Sequence, residues 1–128
     1  MHELSIAHQL VDIASKAARD AGMGKVQAVH VRLGVLSGVV REALLFAFDV
    51  VTQGTAVEGA RLVIEDVPVK VYCRACRAER VLPQPFPMRC PACGERTGEV
   101  LEGREIELYA LEEEELENAA EYGPSANC

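Results

Sequence analysis

Apolar residues recur at helical spacing from residue 4 to residue 21, where Leu4, Ala7, Leu10, Val11, Ala14, Ala17, Ala18 and Ala21 share one side. Gly22 and Gly24 follow as stop signals, so the spacing predicts an amphipathic helix. From Val26 the period falls to two. Val29, Val31, Leu33 and Val35 point one way and His30 and Arg32 the other, the pattern of a half-buried strand closed by Gly34 and the Leu36-Ser37-Gly38 turn. A second helix is predicted from Val40 to Gln53. It offers Ala43, Leu44, Ala47, Phe48 and Val51 to a core, and Gly54 ends it. Arg61 to Val67, rich in Leu, Val and Ile, reads as a second strand. Arg104 to Leu111 reads as a third, with Ile106, Leu108 and Ala110 set against Glu105, Glu107 and Tyr109.

The pattern breaks over residues 69–102. This stretch has no long apolar period, yet it holds four of the five cysteines and four of the six prolines. The fold class expected is therefore α+β. An α/β lobe (residues 1–68 and 103–118) carries a small three-stranded sheet and two helices, with a zinc-ribbon module inserted at 69–102. Residues 119–128 are expected to form a disordered tail.

Within the insert the spacing is Cys73-Arg74-Ala75-Cys76, thirteen residues, then Cys90-Pro91-Ala92-Cys93-Gly94. Two residues between cysteines let one turn present both sulfurs to a single ion, and two such turns complete a tetrahedral S₄ shell. Gly94 suits the positive φ such a turn requires, whereas Arg77 holds the same place at the first knuckle. A Pro-rich segment of this size buries too little apolar surface to fold alone, so a bound ion must supply much of its stability. Four cysteines leave no open coordination position, and the site is structural. Zinc is the expected ion; an iron S₄ site stays open on sequence alone.

Composition narrows the function classes. With 128 residues, no Trp and 5% aromatics, the core must be built from aliphatic side chains. No apolar run is long enough to span a membrane, and no secretory leader pattern opens the chain. Paired CxxC motifs without an export signal point to a reducing compartment, and the cytoplasm is expected. The net charge is −7, but Glu112, Glu113, Glu114, Glu115, Glu117 and Glu121 place six of the acidic charges at the C-terminal end. That tail reads as solvated, or as a docking tail for a basic partner. A sequence pI near 5.0 argues against nucleic acid as the ligand. No phosphate-binding glycine loop and no nucleophile–base constellation is present, so no enzyme is expected.

The first residues, Met1-His2-Glu3, offer a second metal site. The α-amine, the His2 backbone nitrogen and the His2 imidazole can close adjacent chelate rings around one ion. Such in-plane nitrogens suit Ni(II) or Cu(II) better than Zn(II). Glu3 could bond to that ligand shell or fill an outer position. Read alone, the same three residues also describe a frayed terminus with Glu3 at the start of a helix. His8 and His30 read as partly exposed or hydrogen-bonded residues, Cys128 as an incidental thiol, and Arg74, Arg77, Arg80 and Arg89 as charge balance for a metal–thiolate centre or as a face for an acidic partner.

Met1-His2-Glu3-Leu4-Ser5 resembles the start of the HypA/HybF family of nickel-insertion accessory proteins for NiFe-hydrogenase. The resemblance continues through Val31-Arg32-Leu33-Gly34-Val35-Leu36-Ser37-Gly38, Ala43-Leu44-Leu45-Phe46-Ala47-Phe48 and both CxxC knuckles, covering residues 1–111 in order. It implies that Met1, His2 and Glu3 bind nickel as transient cargo and that Cys73, Cys76, Cys90 and Cys93 bind one structural zinc per chain. It also implies an α/β nickel domain with an inserted zinc ribbon, a nickel-handling GTPase as partner and the hydrogenase large-subunit precursor as recipient. Neither nucleic acid nor membrane is an expected partner, and a homodimer stays open. Val39 and Val40 stand where that family often carries an acidic residue, and Glu42 is the nearest carboxylate in sequence. The rival expectation is a zinc-ribbon interaction module with no nickel role, which would favour basic and aromatic residues around the ribbon; here only Tyr72 and Phe86 are aromatic there.

Overall fold

The computed structural model describes residues 2–114; the expected tail at 119–128 lies outside them. Helix α1 runs Glu3–Asp20 and opens on His2, whose carbonyl accepts the Ile6 amide at 3.1 Å. Glu3 in the first turn and Arg19 in the last both complement the helix dipole. The helix closes where Gly22, at φ +65°, donates to the Arg19 carbonyl and Met23 to that of Ala18. Those paired bonds satisfy the last carbonyls and need the left-handed residue that glycine supplies. The buried side of α1 runs through Ile6, Ala7, Leu10, Val11, Ala14, Ser15 and Ala18. Leu4, Ala17 and Ala21, expected on the same side, are exposed, and Ile6 was not expected among the buried residues.

Strand β1 (Val26–Gly34) leads to helix α2 (Arg41–Val51), then to strand β2 (Arg61–Val67). β1 and β2 pair in parallel, from Ala28 opposite Arg61 to Gly34 opposite Val67. A parallel pair needs a crossover, and α2 is that crossover. The helix starts one residue later than expected and stops at Val51. Leu44, Ala47 and Phe48 are its buried face, packed with the apolar side of α1 and with Val26, Val29, Val31 and Leu62 of the sheet.

After β2 the chain builds a separate sheet from β3 (Lys70–Cys73), β4 (Ala78–Val81) and β5 (Val100–Glu102), in the order β4-β3-β5. It then returns as β6 (Ile106–Glu113), which lies antiparallel to β1 and completes the first sheet in the order β2-β1-β6. The α+β architecture is thus the one expected, with the cysteine-bearing sheet inserted between two strands of the main sheet.

β6 departs from the alternation read for it. His30 pairs with Ala110 but Val31 with Leu108, so Tyr109 is an extra residue at a bulge. The bulge resets the phase. Leu108 and Leu111 pack on the core, while Ile106 is exposed and Ala110 lies opposite His30. The helices cover one face of this sheet. Its other face carries Arg32 stacked over the Tyr109 ring at 4.0 Å, with the Tyr109 hydroxyl donating to Glu65 at 2.9 Å.

The turn after β1 ties the two sheets together. Gly34 donates to the Glu105 carbonyl at 2.7 Å, Val35 to that of Val67 at 3.0 Å, and Leu36 to that of Gly103 at 2.7 Å. The Leu36 side chain packs into the small second core of Val69, Val71 and Leu82. The insert is therefore anchored at both its entry and its exit by the end of the central strand.

Candidate metal centres

Cys73 ends β3, and Cys76 follows in the turn that leads to β4. The backbone amide of Cys76 points at the Cys73 sulfur, 3.4 Å away, and the Ala92 amide at the Cys90 sulfur at the same distance. Both turns close on a left-handed residue. Gly94 has φ +81°, and Arg77 takes φ +56°, a conformation rare for a side-chain-bearing residue. Both knuckles thus place a left-handed residue directly after their second cysteine, even though only the second has the glycine.

These turns bring the four sulfurs within 4.8 Å of one another. Across the knuckles Cys73 Sγ lies 3.6 Å from Cys93 Sγ, and Cys76 Sγ lies 3.8 Å from Cys90 Sγ. A tetrahedron with metal–sulfur bonds of about 2.3 Å has edges of about 3.8 Å, so the residues fit an S₄-bound ion such as zinc. Bonded sulfurs would stand about 2 Å apart, and all four cysteines are free thiols.

The electrostatics agree with a cation at the centre. Cys90 is pulled down to about 6, foremost by the Cys93 backbone amide, and further by the Ala92 amide, Arg80 and Cys73 against the effect of burial. The Glu95 amide favours the Cys93 thiolate, but desolvation and the sulfurs of Cys76, Cys73 and Cys90 outweigh it and push Cys93 up to about 12. Four thiolates this close repel one another, and a dication between them lets all four ionise. Arg80 on β4 is raised above the ordinary guanidinium value, foremost by Cys76 and then by Cys90. Read from sequence as one of four surface charges, Arg80 is half-buried, with its Nε out of solvent and without a hydrogen-bond partner.

The N-terminal candidates lie on the other part of the molecule. His2 is exposed at the start of α1, with an extended backbone. Glu3 is half-buried. Its carboxylate accepts the Val40 amide at 2.8 Å, and that bond, then its own backbone amide, hold it below the usual carboxylate range. Met1 lies outside the described residues. Of the remaining histidines, His8 is exposed on α1, and His30 meets Glu112 across the sheet at 3.2 Å.

A four-cysteine cluster able to hold a metal ion, on a three-stranded sheet inserted into a helix-covered lobe, defines the class: an α+β protein with a candidate metal centre on its insert. The chain belongs to the HypA family, described as hydrogenase/urease nickel incorporation, metallochaperone, whose sequence pattern matches residues 1–113. It is 57% identical over 115 residues to the hydrogenase maturation factor HypA of Roseiflexus sp. (strain RS-1), covering 90% of this chain and 94% of the relative. It is 53% identical over 112 residues to the corresponding factor of Chloroflexus aurantiacus, covering 88% of this chain and 98% of the relative. Its fold matches the solution structure of the Ni metallochaperone HypA from Helicobacter pylori with a TM-score of 0.66 at 24% identity, over 88% of this chain and 97% of the other. Members of the family are metallochaperones for nickel incorporation, accessory proteins and not enzymes. Among the described residues no helix is long and apolar enough to cross a membrane.

Proposed function

We propose that this chain carries Ni(II) at its N-terminus and delivers it during NiFe-hydrogenase maturation, while Cys73, Cys76, Cys90 and Cys93 hold one structural zinc. The observation that carries the reading is the separation of donor sets. The sulfur shell is closed, so cargo needs other ligands, and the exposed His2 imidazole, with its backbone nitrogen and the α-amine one residue before it in sequence, offers them. Glu3 stands next to them in the first turn of α1. The division into a nickel domain (1–68 and 103–118) and a zinc-ribbon domain (69–102) follows from the same separation.

Delivery works by ligand exchange. An exposed terminal chelate can pass its ion donor by donor to a partner that approaches the start of α1, whereas a buried cage would have to open first. The partners that fit are a nickel-handling GTPase of the maturation pathway and the hydrogenase large-subunit precursor, in the cytoplasm. The family description adds urease as a second recipient class. Because amine, amide and imidazole must all shed protons to bind, nickel affinity falls as pH is lowered through neutrality.

The test compares nickel binding by the native chain, by His2→Ala, and by a chain extended with Gly-Ser ahead of Met1. The extension leaves every side chain in place and removes only the amine from its position. Both variants should lose affinity; equal binding by all three rules out the terminal chelate.

A further inference from the structure

The second knuckle sets two arginines against each other. The Cys90 amide donates to the Glu95 carbonyl at 2.9 Å, and the Thr97 amide to that of Met88 at 3.0 Å. These bonds flank a single antiparallel bridge between Arg89 and Arg96, the closely spaced position of such a pair, where both side chains emerge on one face. Like charges directly opposite one another cost stability. Both arginines are exposed, and neither forms an ion pair among the described residues. The carboxylates of the insert that do form ion pairs are engaged elsewhere, Glu79 and Glu102 by Lys70 and Glu99 by Arg74. Arg89 donates only to the Gly94 carbonyl, at 3.2 Å.

The surface beside this pair is apolar. Phe86 is 65% exposed, and with Met88, Arg89, Arg96 and Thr97 it lines a hollow of about 440 Å³. A second hollow of about 260 Å³ shares Phe86 and Arg89 and adds Leu82 and Pro83. No carboxylate lines either one. The cleft at the junction of the two sheets has the reverse character, with Arg32 set among Glu65, Asp66, Glu102, Glu105 and Glu107. Arginine and aromatic side chains are the usual anchors of an interface, and guanidiniums hold carboxylates by charge-assisted hydrogen bonds. We propose that Phe86, Arg89 and Arg96 form a docking face for an acidic segment of a partner protein. One carboxylate of that segment sits between the two guanidiniums, and an apolar side chain of the same segment lies against Phe86. A long polyanion such as nucleic acid fits less well, because the chain as a whole carries a net charge of −7. The face is separate from the N-terminal donors and stands whether or not those bind nickel.

The full chain with one equivalent of Zn(II) is titrated against the fluorescein-labelled peptide Gly-Asp-Leu-Asp-Glu-Leu-Gly and against its neutral analogue, with Asn and Gln at the acidic positions, by fluorescence anisotropy. The acidic peptide should bind at least about tenfold tighter, and added salt should weaken it. Arg89→Gln and Arg96→Gln should each weaken it roughly tenfold, the change expected for losing one charge-assisted hydrogen bond. Phe86→Ser should weaken both peptides alike. Arg61→Gln, which removes an exposed charge on β2, should change nothing. The chain without peptide gives a second readout. Relief of the repulsion in Arg96→Gln should raise the protection of the Cys90 and Thr97 amides against hydrogen exchange by up to about fivefold. Protection that is unchanged or lowered shows that the pair does not repel, and overturns the proposal. Acidic and neutral peptides that bind alike, or an affinity that falls equally in Arg61→Gln, overturn it as well. Two other occupants have their own arms. Tighter, Arg89-dependent binding of a labelled oligothymidylate assigns the face to nucleic acid, and Arg96-dependent self-association in sedimentation assigns it to a second copy of the chain; either result overturns the acidic partner.

Discussion

Glu3 Oε2 accepts the backbone amide of Val40 at 2.8 Å, a bond that joins the first turn of α1 to the start of α2 across 37 positions of sequence. Val40 occupies the N-cap of α2 but has no side chain able to cap it, so the acceptor comes from another helix. Glu3→Ala should therefore speed hydrogen exchange at the Val40 amide and lower the melting temperature. Glu3→Gln should largely preserve both, because its amide oxygen still accepts. If Gln and Ala behave alike in the metal-free chain, the capping role is wrong.

Tyr109 predicts how the open face of the sheet responds to alkali. Its hydroxyl donates to Glu65, and that bond, helped by burial and the Glu65 charge, raises the phenol above its ordinary value of 10.0 despite the opposing Arg32. A raised folded value means the interaction contributes fully below the unfolded phenol's range and is lost as pH rises through the folded value. Tyrosinate absorbance should show one late-titrating phase that disappears in Tyr109→Phe, and the variant's stability should fall less than the native chain's above about pH 10.

How much of this was legible beforehand depends on whether a feature is local. The β1 alternation could be read because Val29 and Val31 face the core and His30 and Arg32 the open face of the sheet. Both helices could be read because glycines punctuate them. The sulfur cluster was legible because each knuckle is a four-residue turn whose geometry barely depends on the rest of the chain. The β6 register was not, because a bulge at Tyr109 is set by pairing with β1 and leaves no mark in the local pattern. The capping of α2 by Glu3 was hidden for the same reason: it joins a residue to a partner that only the tertiary fold brings near.

Gly34 tests the join between the two sheets. A Cβ there would collide with the carbonyl carbon and oxygen of Gly103, which itself sits at φ +126°. Both contacts are backbone, so neither can swing aside as a flexible side chain would. Gly34→Ala should cost about 3 kcal/mol, at the upper end of overpacking, because relief requires moving the segment that returns from the insert. Urea unfolding would measure this. A loss within experimental error would mean that the Gly34–Gly103 approach does not hold the insert in place.

The insert should depend on its ion in a way the main lobe does not. Its core amounts to Val69, Val71 and Leu82, with Leu36, Met88 and Val100 packed around them, whereas the main core includes Phe48, Leu44, Val29, Val31 and most of one face of α1. The small cluster cannot offset the ordering of the loops between the knuckles, so the sulfur–metal bonds must supply the balance. Strong chelation, or Cys73→Ser, should abolish amide protection at Tyr72 and Leu82, whose backbone bonds to Glu99 and Val69 belong to the insert. Protection across β1 should persist, since its hydrogen bonds to β2 and β6 need no ion. Two unfolding transitions should then replace one. Loss of protection in β1 together with the insert would show instead that the Gly34–Leu36 turn makes the two sheets a single cooperative unit.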